Sequence, residues 1–180
     1  MKKSETGLQR RDSNLPALPT RIGTDIELFS RQCSKLTPAK SAELRVAGQA
    51  VSLYSLRRED DVTEEDIQEE LCMLISDLQD KMNLHENRRL DDDQIMDIAL
   101  IIFDHHGNMT MADIGMVFSK AKAGMYGNVL TISSATIGDW INREWENIQQ
   151  RVITLRQQEH RMHKSGSDSR DQGMNWDAGV

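Results

Sequence analysis

The 180-residue chain carries 29 acidic and 22 basic residues, which gives a formal net charge of −7 at pH 7. This acidic balance argues against a general nucleic-acid binder, because such proteins are normally basic. Aromatic residues make up only 4% of the chain, and the apolar set is dominated by Met, Leu, Ile and Ala. These residues favour helices over strands, so the composition predicts a single all-α domain.

Nothing in the sequence predicts export or membrane insertion. No apolar run approaches the roughly 20 residues that a bilayer requires, and the first residues lack the apolar core of a secretion signal. Cys33 and Cys72 lie far apart and form no CxxC pair, which is typical of reduced thiols in a cytosolic protein. We therefore expect a cytoplasmic protein without a membrane segment.

The sequence predicts three parts. Residues 1–24 hold two of the three prolines together with mixed charge, and this composition is typical of a mobile arm. A helical domain is expected over residues 25–164. Residues 165–180 are rich in glycine, serine and aspartate, which predicts a disordered tail.

The helical domain is expected to begin with two helices. The first, over residues 25–36, has Ile26, Phe29 and Cys33 on one side. The second starts at Thr37-Pro38, a cap followed by proline at the first helical position. Apolar positions at helical spacing predict that it continues to about Arg57, across Gly48; they are Leu44, Ala47, Val51 and Tyr54.

Two longer helices follow, and each has a capping box at its start. The boxes pair Thr63 with Asp66 and Asp91 with Gln94. The first helix has the clearest apolar stripe of the chain: Ile67, Leu71, Leu74, Ile75, Leu78 and Met82. The second is apolar around most of its circumference, over residues 95–103, which predicts a place in the middle of the bundle.

The chain is organised around a helix pair between Met109 and Trp145. Thr110 and Asp113 form a third capping box, and Gly124 is the expected left-handed stop of that helix. Ser133 or Ser134 caps the last helix, whose apolar positions are Ile137, Ile141, Trp145, Ile148, Val152 and Leu155. Short connections favour antiparallel neighbours, so we predict an all-α bundle of five or six helices.

No catalytic site can be predicted from the residue pattern. Asp104-His105-His106 contains metal-ligating side chains, but it lies at a predicted helix end, where histidine also suits the negative pole of the helix. Asp91-Asp92-Asp93 lacks the glycine and the distal glutamate of a calcium loop. No nucleophile has a base partner at a readable spacing. We therefore predict a non-enzymatic protein with no catalytic residue, no metal and no cofactor.

Two regions are candidate contact surfaces. Met125 and Tyr126 lie between Gly124 and Gly127, near Trp140 of the following helix, and three such side chains exposed together would suit a protein partner. The alternative is that Trp140 packs on Tyr126 and closes this corner, while Trp145 belongs to the core. The basic end of the last helix could contact phosphates, although its bases spiral around the helix; they are Arg151, Arg156, Arg161 and Lys164.

Residues from Val62 to about Arg151 resemble a family of uncharacterised helical proteins from phages and mobile elements of Bacteroidota. The resemblance rests on four segments in this order: LCMLISDLQDKMNL, LDDDQIMDIALII, FSKAKAGMYGNVL and ISSATIGDWINREW. The family pattern falls here on Phe118, Ala121, Gly124, Tyr126 and Gly127, and then on Ile137 and Trp140.

The resemblance implies an accessory protein of a phage or mobile element that works through protein contacts. The kind of genome that carries such relatives suggests a role in DNA replication or its control, which is an inference by association. The alternative hypothesis is a DNA-binding regulator that uses the basic end of the last helix.

Overall fold

The computed structural model describes residues 19–23, 25–59, 61–82, 84–127, 129 and 131–168, which form helices and connecting segments without a strand. Seven α-helices lie in this part of the chain: α1 (Ile26–Cys33), α2 (Pro38–Val46), α3 (Leu53–Leu56), α4 (Glu64–Lys81), α5 (Asp92–His106), α6 (Met111–Lys122) and α7 (Ser134–Asp168). A short 3-10 helix, Glu86–Arg88, precedes α5. The all-α class is confirmed, with seven helices where five or six were expected. No helix in the described residues is long and apolar enough to cross a membrane.

The extra helix arises because the predicted second helix is broken at Gly48. Gly48 adopts a φ of 70°, a left-handed conformation that ends a helix. The amides of Gly48 and Gln49 donate to the carbonyls of Arg45 and Leu44, the bond pattern of a Schellman stop. The prediction of one helix to Arg57 was wrong, and Leu53 instead begins the short helix α3.

The predicted helix starts are confirmed by hydrogen bonds. Complete capping boxes open α4, α5 and α6, and the Thr37 hydroxyl accepts from the amide of Lys40 at the start of α2. Ser133 caps α7, because its hydroxyl accepts from the amide of Thr136 at 3.2 Å. Capping satisfies amides that have no partner inside the helix, so these local patterns place the starts of the helices.

The centre of the bundle is α6 rather than α5. Nine of the twelve residues of α6 are buried, and the helix contacts α1, α4 and α7. Helix α5 was expected in the middle, but it exposes Met96, Leu100 and Ile101 on its outer side. Helix α2 packs along α7, and α4 packs against α5. The position of α6 matters for function because its last turn leads directly into the glycine-bearing corner before α7.

Both predicted boundaries of the helical domain need correction. Ile22 is buried in the core, and the carboxylate of Glu70 accepts from the Arg21 guanidinium at 2.8 Å and from the Ile22 amide at 3.1 Å. Residues 19–23 therefore belong to the folded domain, while residues 1–18 of the predicted arm lie outside the described residues. At the other end α7 runs to Asp168, past the predicted limit at residue 164, and residues 169–180 lie outside the described residues.

Candidate functional site

The two ends of α7 lie in different surroundings. Its 35 residues give a length of about 52 Å. Ile137, Ile141 and Ile148 of the first half are buried in the core. Every side chain from residue 156 to residue 163 is exposed. The first end is therefore part of the folded body, and the second end extends beyond its core.

The chain enters α7 through the glycine corner, residues 123–127. The amides of Gly124 and Met125 donate to the carbonyls of Ala121 and Lys120, and Gly124 has a φ of 72°, as the sequence predicted. Tyr126 stacks on Trp140, with ring centroids 5.3 Å apart and planes 13° from parallel. Trp140 is only 6% exposed. Of the two alternatives, the structure has the one in which Trp140 closes the corner.

A buried carboxylate of α7 holds the glycine corner in place. Glu144 is 4% exposed; its Oε1 accepts from the Tyr126 hydroxyl at 3.1 Å, and its Oε2 lies 2.7 Å from the Lys120 ammonium. Burial, followed by the neighbouring Glu144 carboxylate, raises the pKa of Tyr126 above its usual range. The phenol therefore stays protonated and remains a hydrogen-bond donor. Sequence analysis missed Glu144 and Lys120, although Glu144 lies within the Ile141–Ile148 stripe.

Met125 is the exposed large side chain of the corner. It is 63% exposed, the highest value among the large apolar side chains of the described residues. Met125, Tyr126 and Trp140 are therefore not exposed together, since Trp140 is 6% exposed and packs on the partly buried Tyr126. A flexible apolar side chain held on a rigid, hydrogen-bonded support can enter an apolar pocket of a partner.

A second buried carboxylate ties three helices together. Asp113 is fully buried and accepts from the Ser41 hydroxyl at 2.6 Å. Arg45 forms an ion pair with the same carboxylate, and its guanidinium lies 4.8 Å from the ring centroid of Trp145. Trp145 was predicted to be core, but it is only partly buried, and the Arg45 guanidinium covers one of its faces. This cluster connects α2, α6 and α7, and among its described groups the buried Arg45 Nε has no hydrogen-bond partner.

The bases predicted to contact phosphates lie on the second half of α7. Arg151, Arg156 and Arg161 are exposed, and none forms an ion pair with a described residue. The side chain of Lys164 lies outside the described residues. Successive bases five residues apart turn by about 140° around a helix, so they do not share one face.

The predicted absence of a catalytic site stays a prediction, and the geometry adds nothing against it. Among the described residues no group of three His, Cys, Asp or Glu side chains could hold a metal ion. Asp104, His105 and His106 form the last turn of α5, and burial followed by the charge of His105 lowers the pKa of His106. Burial, assisted by Asp113, raises the pKa of the Cys33 thiol to about 12, which makes it a poor nucleophile.

Comparison of the chain with family models, with curated proteins and with solved structures gives no significant match.

Proposed function

We propose that this chain is a non-enzymatic interaction protein that binds a protein partner through the glycine corner, with Met125 as the anchor. The observation that carries the proposal is a 63% exposed methionine next in sequence to Tyr126, which stacks on Trp140 and donates to the buried Glu144. The resemblance to proteins of phages and mobile elements supports such an element as its source, and DNA replication or its control as the process.

The energetics of binding favour this corner. A contact residue on a mobile loop must be ordered when the partner binds, and this ordering reduces affinity. Here the backbone is fixed at both sides, by the helix stop at Gly124 and by the Tyr126 hydrogen bond to Glu144. Only the methionine side chain has to be ordered when the partner binds. The loss of conformational entropy therefore offsets little of the free energy gained from the apolar contact.

The test is co-purification of proteins from the cells in which the chain is naturally produced, identified by mass spectrometry. Met125→Glu places a charge where the partner would bury an apolar side chain, and we expect it to lose the partner. Met73→Glu is the matched control, because Met73 is an exposed methionine (41%) on α4, away from the corner. Equal recovery with both variants, or no specific protein with the unaltered chain, would contradict the proposal.

A second candidate is a DNA-binding regulator, favoured by the exposed bases of the second half of α7. Each phosphate contact from Arg151, Arg156 or Arg161 would add about −0.9 to the log–log salt slope of duplex binding. We expect the triple alanine variant to abolish that binding and Met125→Glu to leave it intact. Absent binding to duplex DNA at low ionic strength would exclude this candidate and leave the first one untouched.

A further inference from the structure

The outer side of α5 carries an exposed apolar pair among acids. Met96 and Leu100 are 44% and 37% exposed, and their i, i+4 spacing places them side by side on the helix. Asp93, Asp97 and Asp104 are also exposed on this side, and none of the three forms an ion pair with a described residue. We call these five residues the α5 stripe. An apolar helical stripe with unpaired flanking charge is typical of a helix that docks in a groove.

A groove of opposite charge lies beside α7. A cavity of about 520 Å³ opens between α7 and the end of α2, and Arg45, Ala50, Trp145, Gln149, Val152, Ile153 and Arg156 line it. Ile153 is 48% exposed, and Val152 is partly buried. The groove thus combines an apolar floor with the guanidinium of Arg156, which forms no ion pair with a described residue, whereas the Arg45 guanidinium is already paired with Asp113. We call this surface the α7 groove.

The two surfaces have different neighbours within one chain. The α5 stripe lies next to α4, because the sulfur atoms of Met96 and Cys72 are 4.0 Å apart. The α7 groove is instead bordered by residues of α2 and of the segment that follows it. Each copy of the chain therefore carries an acidic apolar stripe and a basic apolar groove, at separate places.

We propose that the α5 stripe of one copy docks in the α7 groove of a second copy. Met96 and Leu100 pack on the apolar floor formed by Val152 and Ile153. The aspartates of the stripe provide carboxylates that can form ion pairs with Arg156. Charge complementarity of this kind favours one orientation and speeds association. Because the contact joins two different surfaces, every assembly keeps one free stripe and one free groove, at its two ends, to which further copies can bind. Association should therefore grow with concentration and weaken with salt.

The test is sedimentation velocity of two variants that each lack one surface. Ile153→Asn/Arg156→Gln removes the groove without adding acids that could pair with lysines, and Met96→Lys/Asp97→Lys removes the stripe. We expect the unaltered protein to sediment faster over about a hundredfold rise in concentration, and each variant alone to stay monomeric. A 1:1 mixture of the two variants retains one intact stripe and one intact groove, so it should form dimers and stop there.

The matched control is Leu28→Lys/Glu27→Lys, which makes the same charge change at two exposed positions of α1, a helix that packs on α6 and α4, and should associate like the unaltered protein. If circular dichroism shows that a double variant is unfolded, the single changes Arg156→Gln and Asp97→Lys replace it, each weakening association by about tenfold or more. A monomeric unaltered protein, or a mixture of the two variants that stays monomeric, would overturn the proposal. The α5-stripe variant should still bind DNA if the second candidate function holds, which keeps the two questions separate.

Discussion

The two ends of α7 are made from the same kind of amphipathic sequence, yet they are supported differently. At the first end Trp140 is 6% exposed and Glu144 4%, and each has a specific partner in the glycine corner. At the second end the side chains from residue 156 to residue 163 are exposed. The first end therefore contributes to the stability of the bundle, whereas the second contributes surface and charge.

This difference separates residues that hold the fold from residues that can contact partners. A change at a buried, partnered position costs free energy of unfolding. A change at an exposed position away from such features usually stays within about 0.5 kcal/mol.

Trp140→Ala should lower the free energy of unfolding by about 3–5 kcal/mol, because it removes a buried aromatic side chain and its stacking on Tyr126. Ile153→Ala, in the second half of α7 and 48% exposed, should cost less than about 1 kcal/mol. Urea unfolding followed by far-ultraviolet circular dichroism measures both values. Similar losses from the two variants would remove the distinction between the two ends.

Glu144→Gln should cost about 1–3 kcal/mol, since it leaves the Lys120 ammonium without its carboxylate in a buried site. Glu146→Gln is the matched control: the same change on the same helix, at an exposed position with no ion pair to a described residue. Its expected effect is within about 0.5 kcal/mol. A tolerated Glu144→Gln would mean that the corner does not depend on this carboxylate.

The end of α6 that leads into the corner should make stability depend on pH. Burial of Asp77 opposes its charged form, but hydrogen bonds from Lys122 and Lys81 outweigh burial and hold the pKa of Asp77 below its usual range. Because the folded pKa lies below the unfolded value of about 4, the ionised pair stabilises the fold above that pH. This contribution is lost as the pH falls through the folded pKa. Asp77→Asn should lower the free energy of unfolding at pH 7 by about 1–3 kcal/mol. It should also make the free energy of unfolding less dependent on pH in the acid range. Urea unfolding from pH 2 to pH 7 measures both effects. An unchanged pH dependence in the acid range would contradict this assignment.

The helix starts and stops could be predicted from the sequence because they depend on residues within four positions of each other. The box of Thr110 with Asp113 and the stop at Gly124 are examples. Gly48 shows the limit of the same reasoning. The apolar spacing on both sides of it continues like a helix, but Leu53 and Tyr54 donate instead to the carbonyls of Met109 and Gly107. Those distant bonds decide the local conformation, and periodicity does not reveal them.

The buried charges could not be predicted for a similar reason. Asp113 looks like an ordinary capping residue, and its pairing with Arg45 joins residues 68 positions apart. Glu144 pairs with Lys120 across 24 positions. Its place inside the Ile141–Ile148 stripe was the one available signal, because an acid on an apolar stripe must find a partner when buried. The glycines and aromatic residues of the corner thus located the candidate site in the sequence. The contacts of Glu144 that hold the corner in place form only in the folded chain and could not be predicted.

The most direct test of the central claim is the free energy of unfolding of Met125→Glu, measured beside Trp140→Ala under the same conditions. The claim is that Met125 is a contact residue on a rigid support rather than part of that support. We therefore expect Met125→Glu to unfold within about 0.5 kcal/mol of the unaltered protein, while Trp140→Ala loses about 3–5 kcal/mol. A loss for Met125→Glu as large as that for Trp140→Ala would show that the methionine holds the corner together, and the contact surface would then have to lie elsewhere.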